Sequence, residues 1–199
     1  PHGTSGVFFD PHEICNVIGL KGVRAMLDDV ETTPLKGMLT TPSCVPAVAG
    51  FEDTGSEIHP ADVAETMLWD ECVGLGEMMN FPGVINCDKE VLSKIKLGLD
   101  KQKRVDGHAP GLSGKGLNAY VASGIASDHE CTTPQEAIEK IRLGMYIMIR
   151  EATGARDLEP LIPVLKEYNT RKCIFVTDDR HPKHLKKHIS NMVEKAVEM

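Results

Sequence analysis

The chain has 199 residues, 41% of them hydrophobic and 26% charged, and a formal net charge of −7. That is the make-up of an ordinary globular protein with enough chain for one sizeable core. The negative balance argues against a nucleic-acid binder or a protein of anionic membrane surfaces, both of which want basic patches, and leaves room for a small uncharged ligand. No run approaches ~18 consecutive apolar residues, so no membrane span is predicted, and no signal peptide is visible. The six cysteines, at 15, 44, 72, 87, 131 and 173, contain no CxxC pair. They read as reduced thiols of a cytoplasmic protein, several on buried strands. The chain opens on Pro1-His2-Gly3-Thr4 without a methionine and closes on a helical pattern. Truncation at both ends of something longer is the expectation.

Thr4 to Phe9 is a short apolar run rich in β-formers and predicts a buried strand. It leads into Asp10-Pro11-His12-Glu13 and one helix with Ile14, Val17, Ile18, Val23, Met26 and Leu27 at helical spacing. Leu35–Leu39 is the second strand and runs into the rigid Thr40–Pro46 loop. After a polar loop over 50–59, Pro60 starts a helix whose apolar face is Val63, Met67, Leu68 and Cys72. Gly76–Met79 is the third strand, 88–101 a helix with Val91, Ile95 and Leu99 inward, and Val105–His108 the fourth strand. Ser113 caps the helix of Leu117, Tyr120 and Val121, and Gly124 ends it. Ile125–His129 is a fifth strand. Thr133 as N-cap, Pro134 in first position and Glu136 at the third predict a helix through Ile141. A strand over Tyr146–Ile149, a helix over Leu158–Tyr168, a last strand over Lys172–Thr177 and a closing helix near Pro182 complete the pattern.

Seven strands alternating with helices, several of them continuous apolar runs, predict an α/β fold with a parallel sheet covered by helices. The expected architecture is an incomplete (β/α)8 TIM barrel of about seven β/α units, one short of closure. A single domain over 1–199 is expected. A doubly wound open sheet is the runner-up, but no GxGxxG turn follows the first strand.

Side chains at the carboxyl ends of parallel strands carry chemistry. Five such ends bear histidine or acid here: Asp10 to Glu13, Glu77, His108, Ser127 to Glu130, and Asp178-Asp179. Glu77 precedes the apolar Met78-Met79-Asn80-Phe81-Pro82, where a carboxylate must be protonated, paired or bound to metal. Small residues around His108 leave room for a ligand. His129 lies between Asp128 and Glu130, and a neighbouring carboxylate can orient a metal-bound imidazole. The adjacent acids Asp178 and Asp179 repel unless a cation neutralises them. Each residue also has a plain reading: an exposed loop glutamate, a loop histidine bonded to backbone, a salt-bridged histidine, a helix cap. Together they predict a site for zinc, iron, manganese or cobalt and metal-assisted hydrolysis. Residue chemistry alone leaves the substrate open.

The motifs Asp10-Pro11-His12-Glu13-Ile14, Pro42-Ser43-Cys44-Val45-Pro46-Ala47, Glu77-Met78-Met79-Asn80-Phe81-Pro82-Gly83-Val84, Asp106 to Gly114, Ser127 to Thr132, Arg142 to Glu151 and Thr177 to Pro182 carry a resemblance. From about Gly3 to about His188 the chain resembles the bacterial and archaeal adenine deaminases of the amidohydrolase superfamily. The resemblance implies a distorted TIM barrel of the metal-dependent hydrolase type with a dinuclear centre, most plainly of manganese or iron, with zinc as a third option. It implies Glu77 as bridging carboxylate and catalytic residue, His108 and His129 as ligands, and Asp178 as ligand and proton shuttle, with Asp179 as fallback. His12, Glu130 and Arg150 are implied for substrate contact or for support of the ligands. The implied reaction is attack of metal-bound hydroxide at C6 of adenine, giving hypoxanthine and ammonia, in purine salvage. The implied partner is adenine or a similar small heterocycle, with no nucleic acid and no membrane, and a homo-oligomer is expected. The alternatives are a catalytically incomplete structural or purine-binding piece and a related cyclic amidine or amide hydrolase. The family's His-x-His pair occurs nowhere in this sequence. The chain alone is therefore expected to hold one metal weakly or none and to show little or no deaminase activity.

Overall fold

In a computed structural model the chain is described at residues 3–168 and 170–199. Pro1 and His2, noted above at the chain start, lie outside the described residues. The elements in chain order are β1 (Gly6–Phe9), α1 (His12–Ile18), α2 (Leu20–Glu31), β2 (Lys36–Thr41), α3 (Pro60–Thr66), β3 (Cys72–Met78), α4 (Phe81–Ile85), α5 (Lys89–Asp100), β4 (Arg104–Gly107), α6 (Gly114–Ala122), β5 (Ser127–Asp128), α7 (Pro134–Arg142), β6 (Tyr146–Arg150), α8 (Leu158–Glu167), β7 (Cys173–Val176) and α9 (Ile189–Glu198). Short 3-10 turns cover Thr170–Lys172 and Pro182–His184. The chain groups into two compact units. One comprises Gly3–His108 with Ala122–Ile125, the other Ala109–Val121 with Ala126–Met199.

The first unit holds a four-stranded sheet in the order β1-β2-β3-β4, and every pairing is parallel. Phe9 is opposite Leu39, and Leu75 opposite Val105. Leu39, Leu75 and Val105 are fully buried, as are Val23 and Val63 from the covering helices. The second unit holds the parallel sheet β5-β6-β7. Its core joins Ile147 and Ile149 of β6 to Ala137 and Ile141 of α7, Leu158, Leu161 and Val164 of α8, and Met192 of α9. In both sheets neighbours in space are neighbours in sequence. A doubly wound sheet reverses its strand order at a switch point, and neither sheet does. The fold is α/β of the (β/α) barrel type, with seven strands among the described residues where a closed barrel needs eight.

The departures from the sequence reading have local causes. The first helix is two helices, because Gly19 adopts φ +64 and ends α1. Val17, Ile18 and Met26 are exposed there, while Cys15, Val23 and Leu27 face the core. Cys72 belongs to β3 rather than to the face of α3, and Leu68 is exposed. Leu99, expected inward on α5, is also largely exposed. β3 starts four residues before the expected Gly76 and ends at Met78, so Glu77 is its last residue but one. α4 was not expected; Asn80 caps it by accepting the Gly83 N–H at 2.9 Å. Pro182 opens only a 3-10 turn, and the closing helix begins at Ile189. All six cysteines are free. No described helix is long and apolar enough to cross a membrane.

Candidate metal centre

In the first unit, Glu77 comes from β3 and His108 from the residue directly after β4. Nδ1 of His108 lies 2.6 Å from Oε2 of Glu77. The Glu77 backbone is held on both sides. Its N–H donates to Oδ2 of Asp10 at 3.0 Å, and its carbonyl accepts the Ser43 hydroxyl at 2.6 Å. Asp10 follows β1, and His12 is the first residue of α1. His12 Nδ1 is 3.4 Å from Glu77 Oε1 and 3.5 Å from Asp10 Oδ1. Gly76 makes this convergence possible: a Cβ there would sit 1.9 Å from Asp10 Oδ2 and 2.9 Å from the Thr41 carbonyl.

Two atoms of this group, Asp10 Oδ1 and His12 Nδ1, are buried without a hydrogen-bond partner among the described residues. The 3.5 Å between them is long for a hydrogen bond, yet close enough for the charges to act on one another. Burial pushes the Asp10 carboxyl up to about 6, only partly offset by the nearby His12. Burial works against the His12 cation, but the attraction of Asp10, Glu13 and Glu77 prevails and holds it up at about 9. The unit thus gathers anionic oxygens around one cationic position. Asp10, His12 and Glu77 each offer a ligand atom within 4.8 Å of the others. Carboxylate oxygens with imidazole nitrogens suit divalent manganese, iron or zinc. The orphaned buried atoms and this donor set fit such an ion.

In the second unit, Arg150 ends β6 and is buried. Its Nε donates to Asp157 at 2.6 Å, its two terminal nitrogens grip both oxygens of Glu130, and one of them also donates to Oδ2 of Asp178 at 3.1 Å. Burial opposes the guanidinium charge, and the bonds to Asp157 and Glu130 more than restore it, so its proton is held more tightly than usual. Three carboxylates around one guanidinium leave the cluster anionic. His129 follows β5, and its Nε2 is 3.6 Å from Glu130 Oε1. His129, Glu130 and Asp178 form a second group with ligand atoms within 4.8 Å of one another. Asp178 has φ +52, the left-handed region that aspartate tolerates better than most residues. Asp179, the expected fallback, presents its carbonyl to the Thr153 N–H at 3.0 Å.

The first unit therefore brings Glu77, His108 and His12 together, and the second brings His129, Glu130, Arg150 and Asp178 together. Asp157 escaped the sequence reading, because an acid seven residues after its partner arginine has no local signature. Asp10 was legible only as one acid of a strand-end motif.

A parallel α/β fold with carboxylate and imidazole groups gathered after its strands defines a class of metal-dependent hydrolases. The amidohydrolase family profile matches residues 1–197, and the chain belongs to that family. It is 49% identical over 203 residues to an adenine deaminase of Clostridium botulinum (strain ATCC 19397 / Type A), which covers all of this chain and 34% of that protein. It is 50% identical to an adenine deaminase of Desulfatibacillum aliphaticivorans, over 98% of this chain and 35% of the relative. It is 45% identical to one of Methanothrix thermoacetophila, over 100% and 35%. The chain spans about a third of the length of these curated relatives.

Proposed function

We propose that the protein hydrolyses adenine to hypoxanthine and ammonia, as a metal-dependent deaminase of purine salvage in the cytoplasm. The observation that carries this reading is the 2.6 Å Glu77–His108 contact beside the orphaned Asp10 and His12 atoms. The adenine deaminases at 45–50% identity point the same way. The proposed ligands are Glu77, His108, His129 and Asp178. Residues 1–197 match one family profile, which supports one amidohydrolase domain over 1–199.

A divalent metal, proposed as manganese or iron with zinc as third option and dinuclear in the whole protein, supplies a water of lowered pKa when bound. Asp178 accepts the proton of the attacking water and delivers it to the departing amine. Water adds at C6, the C6–N bond breaks and ammonia leaves. Arg150 aims the Asp178 carboxyl group through the 3.1 Å bond. Glu77 carries negative charge to the reacting centre, and His12 and Glu130 are proposed to line the heterocycle, with Asp179 supporting Asp178. Self-association is also proposed: among the described residues β1 pairs only with β2, and Phe8 on it is 71% exposed.

The test is adenine-dependent ammonia release by the full-length protein prepared with manganese. Wild type is expected to turn over adenine, and Asp178→Asn to lose about 10²–10⁴-fold. Cyclic amides and amidines assayed in parallel decide the competing reading, and their turnover without that of adenine would overturn the adenine assignment. The 199-residue chain on its own, which lacks a His-x-His pair, is expected to bind but hardly to turn over.

A further inference from the structure

Among the described residues the most completely buried charges lie in the second unit, and the chemistry proposed above does not use them. Asp128 at the end of β5 and Lys140 on α7 are both 0% exposed, and Lys140 Nζ donates to Asp128 Oδ2 at 3.0 Å. Taking two charges out of water costs several kcal/mol per ion, and an apolar pair of similar volume is often as stable. Stability alone is therefore a poor explanation for this pair.

Its bonds converge on loop backbone. Asp128 Oδ1 accepts the Ala109 N–H at 2.7 Å, and Lys140 donates to the Ala109 carbonyl at 2.7 Å. Both polar groups of that one peptide residue are thus held by the two ends of one ion pair. Asp128 Oδ2 accepts the Glu130 N–H at 3.1 Å and the Cys131 thiol at 3.3 Å. Lys140 also reaches Glu136 at 2.7 Å, and Glu136 accepts the Gly111 N–H at 2.9 Å and the Thr132 N–H at 3.3 Å. Ala109–Gly111 is the segment that continues from His108. His129 sits between Asp128, whose side chain is locked in the pair, and Glu130, whose N–H the same side chain holds.

We propose that Asp128 and Lys140 are positioning residues, a buried charge clamp that fixes the loops Ala109–Gly111 and Glu130–Thr132 and thereby places the imidazole of His129. The inference rests on His129 being a metal ligand in so far as it concerns metal, and on geometry alone in so far as it concerns the loops. Groups that orient metal ligands from behind typically change affinity 10–100-fold when removed.

The test compares the 199-residue chain with Asp128→Asn and with the double variant Asp128→Ala/Lys140→Met, which removes both fully buried charges together. Amide hydrogen exchange read by NMR is the first measurement. The expected result is a loss of protection of about tenfold or more at Ala109, Gly111, Glu130 and Thr132, with Ile147 and Ile149 of β6 nearly unchanged. A loss spread evenly over β5, β6 and β7, or none at the loops, overturns the clamp and leaves an ordinary core ion pair. Retention of Mn2+ by the full-length protein is the second measurement, and its double variant is expected to bind it about tenfold more weakly or worse. Equal Mn2+ affinity in wild type and double variant overturns the placement of His129. A wild type that binds no Mn2+ contradicts the proposed metal site instead, and the exchange pattern still decides the clamp.

Discussion

Burial and charge pull against each other at Asp10 and His12, and the outcome sets how stability depends on pH. Both groups hold their protons more tightly folded than unfolded: Asp10 is up to about 6 and His12 up to about 9. A group of raised folded pKa contributes stability that is full below its unfolded pKa and is lost as pH rises through the folded one. Asp10 therefore costs stability between about pH 4 and 6, and His12 between about 6.5 and 9. Urea midpoints measured across this range are expected to fall from pH 6.5 to 9 in wild type and to stay nearly flat in the double variant Asp10→Asn/His12→Ala, which also removes the Asp10 carboxyl that His12 would otherwise hold down. A variant that keeps the wild-type slope contradicts the assignment. At Glu77, the two backbone bonds from Asp10 and Ser43 fix where the carboxylate emerges. Histidine and acid at strand ends were readable from the sequence because they interrupt apolar runs. The choice of Asp178 over Asp179 for the group with His129 and Glu130 was not readable, since adjacent residues differ only in the φ each adopts and in which one meets Arg150.

Elements were legible where their signals are local. α7 begins at Pro134 with Thr133 as its cap, as the sequence predicts, and the Thr133 hydroxyl accepts the Glu136 N–H at 3.3 Å. Thr133→Ala is expected to cost about 1 kcal/mol in denaturant unfolding. The break between α1 and α2 was not legible, because apolar spacing runs through it, and what demands glycine is the φ of +64 at Gly19 together with the 2.5 Å at which an added Cβ would meet the Ser56 hydroxyl. The start of β3 was hidden because Cys72 also fits the apolar spacing of the preceding helix. Gly76 is the element-level device that matters most. Gly76→Ala would drive its methyl into Asp10 and the β2 backbone, and overpacking of this kind costs about 1–3 kcal/mol. A drop in melting temperature together with weaker Mn2+ retention is expected, and unchanged values of both would show that β3 yields instead of Asp10.

At the scale of the whole chain, parallel pairing in sequential strand order was foreseeable from the alternation of strands and helices, and the division into two sheets and two compact units was not. Alternation states what pairs with what, while the grouping depends on long-range packing that no periodicity encodes. Each unit has its own core, so Ile147→Ala, at a fully buried site of the second core, is expected to cost about 2–5 kcal/mol. Circular dichroism melts against denaturant would read it. The central claim is that the carboxylate and imidazole groups after these strands hold a divalent ion through Glu77. The most direct measurement is the Mn2+ binding isotherm of the full-length protein beside that of its Glu77→Gln variant, both checked for intact secondary structure. A saturable site present in wild type and absent in Glu77→Gln is the predicted result. No saturable binding in wild type, or an isotherm that Glu77→Gln leaves unchanged, would contradict it.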